Sequence, residues 1–200
     1  MKIKKFLFYL LAFSLGGCVP VMSLHPLYTE KDLVSDAILL GTWVEDSNRP
    51  DCVWDFQEFD EQEKAYKLVF TDNEGHKGLL KAHLTKLGDN LFLDLYPTEP
   101  PWNDEDPNMV KWPYNTLFMV PSHTFVKVNF SGPLLKLYLT DDDEMTKLLK
   151  ENPGAVKHTF VDDQPVLLGS TQELRAFVSK YAGDKRLFSS EYRITCRKTE

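Results

Sequence analysis

The stretch LLKAHLTKLGDNLFLDL, residues 79–95, decides the fold class of this chain. Apolar residues occupy every second position in both halves of it, and a Gly-Asp-Asn turn at residues 88–90 separates the halves. An alternation of period two with a polar partner face predicts two antiparallel strands that bury one face. The alternating apolar positions are Leu80, Ala82, Leu84, Leu91, Leu93 and Leu95.

The same alternation recurs along most of the chain, at residues 66–70, 126–130 and 135–139. Short turns rich in Gly, Asn and Pro lie between the alternating segments, which is typical of a meander of antiparallel strands. A meander removes its exposed edges by closing on itself. We therefore predict a mostly β protein, with a barrel or half-barrel that ends in a strand over residues 187–197.

Two helices are predicted before that last strand. Residues 141–151 carry acids in the first turn and stop before Asn152-Pro153-Gly154, and Ser170 with Glu173 forms a capping box. A hairpin that turns at Asp162-Asp163 is expected between the helices, and a brief helical turn is expected near residues 30–37.

The N-terminus has the pattern of an export signal. Three lysines at residues 2–5 precede ten uncharged residues, 6–15, a run too short to cross a bilayer as a helix. Leu15-Gly16-Gly17-Cys18 follows and resembles the lipobox of bacterial lipoproteins. The resemblance implies cleavage before Cys18, acylation of its thiol and anchoring in the cell envelope, with Val19 favouring the outer membrane. We expect a signal peptide at 1–17, a tether at 18–28 and one domain at 29–200.

The charge of the mature chain limits its partners. The whole sequence has a net charge of −7, and three of its 23 basic residues precede Cys18, which leaves 20 bases against 30 acids, or −10. Phosphate backbones and anionic lipid surfaces repel such a domain. Nucleic acid is therefore not an expected partner, and membrane attachment has to come from the acyl group.

Cys52 and Cys196 remain once Cys18 is set aside, and two interpretations are open. In an oxidising compartment an even pair can form a disulfide, which here would close a loop of well over a hundred residues. Alternatively, both are small buried apolar side chains.

Gly41-Thr42-Trp43 stands at the start of the first predicted barrel strand, after the short helical turn. This Gly-x-Trp sequence resembles the entrance of the lipocalins, in which the indole fills one end of the barrel. The resemblance implies that an arginine of the last strand, Arg193 or Arg197, lies across Trp43. Two helices before the last strand depart from the family pattern, and Trp43 as an ordinary core aromatic is the alternative.

A long irregular segment at residues 97–114 carries Trp102, Trp112 and Tyr114 among acids and prolines. Loops of this length often bind ligands. These three aromatic residues are our ligand-loop candidates, and the alternative is a solvated excursion that they fix to the barrel.

No catalytic or metal-binding motif is evident. The histidines are scattered, and His83 shares a predicted solvent-facing side with Lys81 and Thr85, which indicates an ordinary surface histidine. We expect no metal and no cofactor. The predicted function is a lipid-anchored binding module for a small apolar ligand. A protein-interaction scaffold with a filled barrel is the alternative, and a hydrolase without a recognisable motif is a weaker one.

Overall fold

The computed structural model describes residues 21–46, 52–98, 120–184 and 187–199, without the side chains of 189–192. In these ranges the chain is mostly β, with eleven strands and two α-helices. Eight of the strands form a closed antiparallel barrel, in the order β11-β2-β3-β4-β5-β6-β7-β8. The predicted fold class, a lipocalin-like meander barrel with two helices near the C-terminus, is confirmed.

The barrel strands follow one another along the chain except at the closure, where β11 lies between β8 and β2. Each alternating segment of the sequence is a strand. The strands are β2 (Gly41–Glu45), β3 (Val53–Asp60), β4 (Ala65–Thr71), β5 (Lys77–Leu87), β6 (Asn90–Pro97), β7 (Thr124–Ser131), β8 (Leu134–Thr140) and β11 (Phe188–Lys198).

The inward faces of these strands form one contiguous apolar cluster. Every predicted alternating position lies in this cluster, so the period-two pattern identified the inside of the barrel correctly. The largest fully buried side chains include Trp43, Phe56 and Tyr66, each no more than 1% exposed. The interior of the described strands is therefore filled with large side chains.

A second layer covers one side of the barrel. It contains β1 (Met22–Ser23), α1 (Asp142–Glu151), the hairpin β9 (His158–Val161) and β10 (Gln164–Leu167), and α2 (Thr171–Tyr181). β1 pairs parallel to β10, which gives a small sheet in the order β1-β10-β9. The helices bury their apolar faces against outward-pointing residues of the barrel, Leu87, Phe92 and Phe125.

The local signals for this layer are confirmed. Asp141 caps α1 by accepting from the Glu144 N–H, and Ser170 with Glu173 forms the predicted capping box of α2. Asp162 and Asp163 make the hairpin turn, with φ values of 48° and 65°. Asp tolerates this left-handed region better than most residues, since its short polar side chain can form hydrogen bonds with the nearby backbone.

The N-terminal segment differs from the prediction in two ways. The tether expected at 18–28 is not loose in its described part, because Val21 and Leu27 are buried and Met22–Ser23 is a strand. Of the helical turn expected at residues 30–37, only a turn at 30–32 is present. A short 3₁₀ helix, Ala37–Leu39, follows it. Pro20 and Pro26 suggested an open chain, but docking against the outer layer overrides that local signal.

Candidate functional site

Asp94 lies at the centre of a polar cluster on the outer wall of the barrel. It stands between Leu93 and Leu95 on β6, so its side chain points away from the barrel interior, yet it is 0% exposed. The N-terminal segment covers it, and the Leu27 N–H donates to its Oδ2 at 2.7 Å. A buried carboxylate needs such partners, since removing the charge from water costs several kcal/mol, about 2–7 even for a neutral polar group.

His123 is the second partner of Asp94. Its Nδ1 is 2.6 Å from Asp94 Oδ1, and its side chain is only 12% exposed. Two further contacts position His123. The backbone of His123 pairs with Ser23 through two hydrogen bonds of 2.8 Å, and the imidazole ring lies against Tyr96 with centroids 4.5 Å apart. The arrangement fixes the orientation of the ring.

His83 lies on the other side of Asp94, directly opposite it in the β5–β6 register. It is 6% exposed and stacks on Tyr28 with a centroid distance of 4.2 Å. Its Nδ1 is a buried polar atom without a hydrogen-bond partner among the described residues. Burial lowers the pKa of His83, and the nearby Asp94 carboxylate opposes this shift.

These groups line an open cleft of about 530 Å³ between the N-terminal segment and the barrel wall. Tyr28, His83, Tyr96 and His123 contribute to it, and Pro26 and Leu33 add apolar surface. Burial, followed by the charges of Asp94 and Glu63, raises the pKa of Tyr28, so its phenol stays protonated. The cleft thus combines aromatic walls with imidazole nitrogens.

Both lysines of the cleft already have partners. Lys81 Nζ is 2.6 Å from Glu63 Oε2, and Lys64 Nζ donates to the backbone oxygen of Glu30 at 3.4 Å. These contacts lie at the solvent-exposed rim. The polar groups in the buried part of the cleft are therefore the two imidazoles and the Asp94 carboxylate.

No sequence pattern identifies this cluster, and the pattern of His83 beside Lys81 and Thr85 predicts an ordinary surface histidine. That interpretation is wrong, because the N-terminal segment packs over this part of the barrel wall. Thr85 is fully buried for the same reason. One signal was available: Asp94 interrupts the otherwise apolar run of residues 91–95. Only the fold brings His123, 29 residues further along, onto Asp94.

The barrel-end candidates are partly corrected. Trp43 is fully buried and donates its indole N–H to the Leu39 oxygen at 2.8 Å. The cation over its ring is Lys198, 5.3 Å from the ring centroid, and not Arg193 or Arg197. Successive residues of a strand point to opposite faces, so Lys198 shares the side of Cys196 while both arginines point outward. Arg197 pairs instead with Asp46 at the surface, at 2.9 Å.

Cys52 and Cys196 are both buried thiols. They flank Glu45 on its two sides, since Cys196 pairs with Glu45 and the Glu45 N–H donates to the Cys52 oxygen. Two strand spacings amount to roughly 10 Å between Cα atoms, and a disulfide tolerates no more than about 7 Å. The geometry supports the interpretation as small buried apolar side chains and not the bridge.

The remaining candidate residues lie outside the described residues. These are the acylation candidate Cys18 and the ligand-loop candidates Trp102, Trp112 and Tyr114.

Comparison with protein-family models, with characterised proteins and with solved structures finds no match to this chain. Within the described ranges, no group of three or more His, Cys, Asp or Glu residues is arranged to hold a metal ion. The described helices are all too short or too polar to cross a membrane.

Proposed function

We propose that this chain is a lipid-anchored, extracytoplasmic binding module whose ligand site is the cleft around Tyr28, His83, Tyr96 and His123. The observation that supports it best is a buried Asp94–His123 pair beside His83, whose Nδ1 has no partner in the part of the chain that the structure describes. An unsatisfied buried polar atom costs about 1–3 kcal/mol. A purely structural wall would not need to retain this cost.

The lining defines the chemistry of the ligand. Two tyrosine rings and the apolar surface of Pro26 and Leu33 suit a small molecule with an aromatic or apolar body. The imidazoles suit one or two hydrogen-bonding groups on the same molecule. Clefts of several hundred Å³ with a few convergent polar groups are typical ligand sites.

The barrel interior is a weaker place for the ligand than the outer cleft. Its described side chains form one buried cluster, with Phe56, Leu68 and Leu84 fully inaccessible. An apolar ligand at the barrel mouth would have to displace these groups or bind at residues outside the described ranges.

Binding to the cleft can be tested by two-dimensional amide NMR of the purified protein with a library of small aromatic fragments. We expect some fragments to shift the amide signals around Tyr28, His83 and His123. Tyr28→Ala should weaken the binding of these fragments at least tenfold. Phe160→Ala is the matched control, because Phe160 packs on His158 away from the cleft. If bound fragments shift only residues of the barrel ends, the site is elsewhere.

The proposed anchor on Cys18 places the domain close to a membrane. Val21 is already buried in the outer layer, and three residues reach at most about 10 Å. A Cys18→Ala variant should leave the membrane fraction for the soluble fraction, and the mature N-terminus should no longer carry fatty acyl groups by mass spectrometry. Unchanged membrane retention of this variant would contradict the anchor.

The filled barrel also favours a second candidate, an envelope scaffold that binds another protein. In that case cross-linking in intact cells should capture one defined partner, and fragments should not compete with it. Competition between a cleft-bound fragment and the partner would instead support ligand binding.

A further inference from the structure

We propose that the cleft hydrolyses small aryl or alkyl esters of carboxylic acids, with His123 as general base, Asp94 as its positioning residue and His83 as the hydrogen-bond donor to the developing oxyanion. This rests on the proposed function, because it assigns a reaction to the same cleft. The two imidazoles present opposite hydrogen-bonding groups to the cleft, an acceptor from His123 and a donor from His83.

His123 presents a hydrogen-bond acceptor to the cleft. Asp94 Oδ1 lies 2.6 Å from Nδ1, and an ionised carboxylate only accepts hydrogen bonds, so the proton of a neutral His123 stays on Nδ1. Its bond to Asp94 leaves Nε2 on the opposite edge of the ring, and this ring lines the cleft. A neutral nitrogen fixed in this way by a buried carboxylate is the arrangement that general-base histidines use.

His83 presents a hydrogen-bond donor to the cleft. Its Nδ1 is buried without a partner among the described residues. Among backbone groups a buried N–H without an acceptor is rarer than an unsatisfied acceptor, and we infer the same preference for this ring. The proton of His83 therefore lies on Nε2, on the ring that also lines the cleft. Burial under Tyr28 keeps the ring neutral, so it donates a hydrogen bond without carrying a charge.

The topology brings the three groups together on neighbouring strands. His83 lies on β5 opposite Asp94 on β6, and Asp94 is paired in turn with Phe125 on β7, two residues after His123. The base and the donor thus stand on either side of one buried carboxylate. A carbonyl group bound in the cleft, which both rings line, would meet an acceptor from His123 and a donor from His83.

The reaction balances without any further reagent. His123 Nε2 takes a proton from water as the water oxygen bonds to the ester carbonyl carbon, and the carbonyl π electrons move to the oxygen, which accepts from the His83 Nε2–H. Collapse of this intermediate re-forms the carbonyl and breaks the bond to the alcohol oxygen. The leaving oxygen takes the proton back from His123, and a carboxylic acid and an alcohol are released.

The substrate class follows from the walls and the charges. Tyr28 and Tyr96 line the cleft and suit a flat apolar leaving group, and the lysines of the rim already contact Glu63 and the Glu30 oxygen. A single neutral donor suits the one negative charge that develops on a carbonyl oxygen. The phosphate group of a phosphate ester carries more negative charge and is usually bound by arginines or metal ions.

The test uses the full chain and p-nitrophenyl acetate, with the release of p-nitrophenol as the readout. His123→Gln should lower kcat/KM at least 100-fold, and His83→Leu should lower kcat at least tenfold, with partial recovery in His83→Gln, which keeps a donor. His158→Gln is the matched control, because His158 also has its Nδ1 bound, to the Val156 oxygen, but lies outside the cleft. Equal losses in His158→Gln and His123→Gln would overturn the assignment.

A measurement on the unaltered protein keeps the proposal testable if a variant does not fold. Long-range ¹H–¹⁵N NMR spectra should show His123 protonated on Nδ1 and His83 on Nε2, and Asp94→Asn should move the His123 proton to Nε2. The reverse tautomers in the unaltered protein would overturn the reaction. Binding is followed separately with the slowly cleaved amide p-nitroacetanilide: if it binds in the cleft but His123→Gln still cleaves the ester at the full rate, only the reaction fails. If it does not bind, the proposed function fails as well.

Discussion

Gly41 holds a backbone conformation on which the Trp43 end of the barrel depends. Its φ is +108°, and a Cβ added there would lie 3.1 Å from Cε of Lys198, the residue that covers Trp43. Gly41→Ala should therefore lower the free energy of unfolding by about 1–3 kcal/mol, as measured by urea denaturation. Gly78→Ala, where φ is ordinary and the space is open, should change it by less than about 0.5 kcal/mol.

Gly75 separates the two causes of this expected loss. It also has a positive φ, +84°, but nothing lies within 4 Å of an added Cβ. Gly75→Ala should thus report the backbone strain alone, and any larger loss in Gly41→Ala measures the contact with Lys198. Equal effects of the Gly41 and Gly78 substitutions would show that the barrel end tolerates a side chain.

Cys196 is expected to be chemically inert in the folded protein. Burial, with the charge of Glu45 and the neighbouring Cys52, raises its pKa to about 12. At pH 8 its thiolate fraction is then about a thousandfold smaller than that of an ordinary cysteine. Alkylation by iodoacetamide, followed by peptide mass spectrometry, should label the Cys196 peptide only after denaturation, and rapid labelling of the native protein would contradict the burial.

The same raised pKa gives a pH dependence of stability. Above the ordinary thiol pKa of 9.0 the unfolded chain loses the Cys196 proton while the folded chain keeps it, so unfolding is favoured as the pH rises from about 9 towards 12. Below pH 9 the thiol is protonated in both states and contributes no slope. Cys196→Ala should reduce the loss of stability between pH 9 and 10.5, and its slope should match that of the unaltered protein below pH 8.

At the scale of the elements, the N-terminal segment is part of the domain and not a spacer. Leu27 is fully buried under α2, Arg175 donates to its oxygen at 3.2 Å, and Arg175 also lies 3.0 Å from Asp32. Leu27→Ala should cost about 2–5 kcal/mol of unfolding free energy. Leu24→Ala, three residues earlier and 42% exposed, is the control and should be nearly neutral. If both substitutions leave the stability unchanged, the segment is a loose tether, as its sequence predicts.

At the scale of the whole molecule, β11 closes the barrel after a long excursion of the chain. It pairs with β8 on one side and β2 on the other, so its loss would leave two open strand edges. A chain that ends at Gly183 should lack a cooperative urea transition and should associate. A peptide of residues 187–200 should restore the transition, whereas the same peptide with Ile194→Asp and Cys196→Asp should not, because both side chains face the interior cluster.

The architecture was largely readable from local patterns. The alternation around Leu80–Leu84 and Leu91–Leu95, the cap at Ser170 and the turn at Asp162-Asp163 each report on neighbours within a few residues, and all of them are confirmed. The alternation of strand residues also places Lys198 on the inward face of the last strand and Arg197 on the outward face. It therefore predicts Lys198 as the cation over Trp43. The errors concern residues whose surroundings come from elsewhere in the chain, above all His83 and the segment from Val21 to Tyr28.

The sequence by itself determined the strand faces, the two helices and the acidic charge, because these depend on periodicity and composition. Only the tertiary structure decided that the outer wall of the barrel is covered by the N-terminal segment, and that Asp94 there meets both His83 and His123. The physical reason is that burial and hydrogen bonding of a polar residue depend on which distant segment packs over it. No local pattern encodes that choice, and the candidate site depends on it entirely.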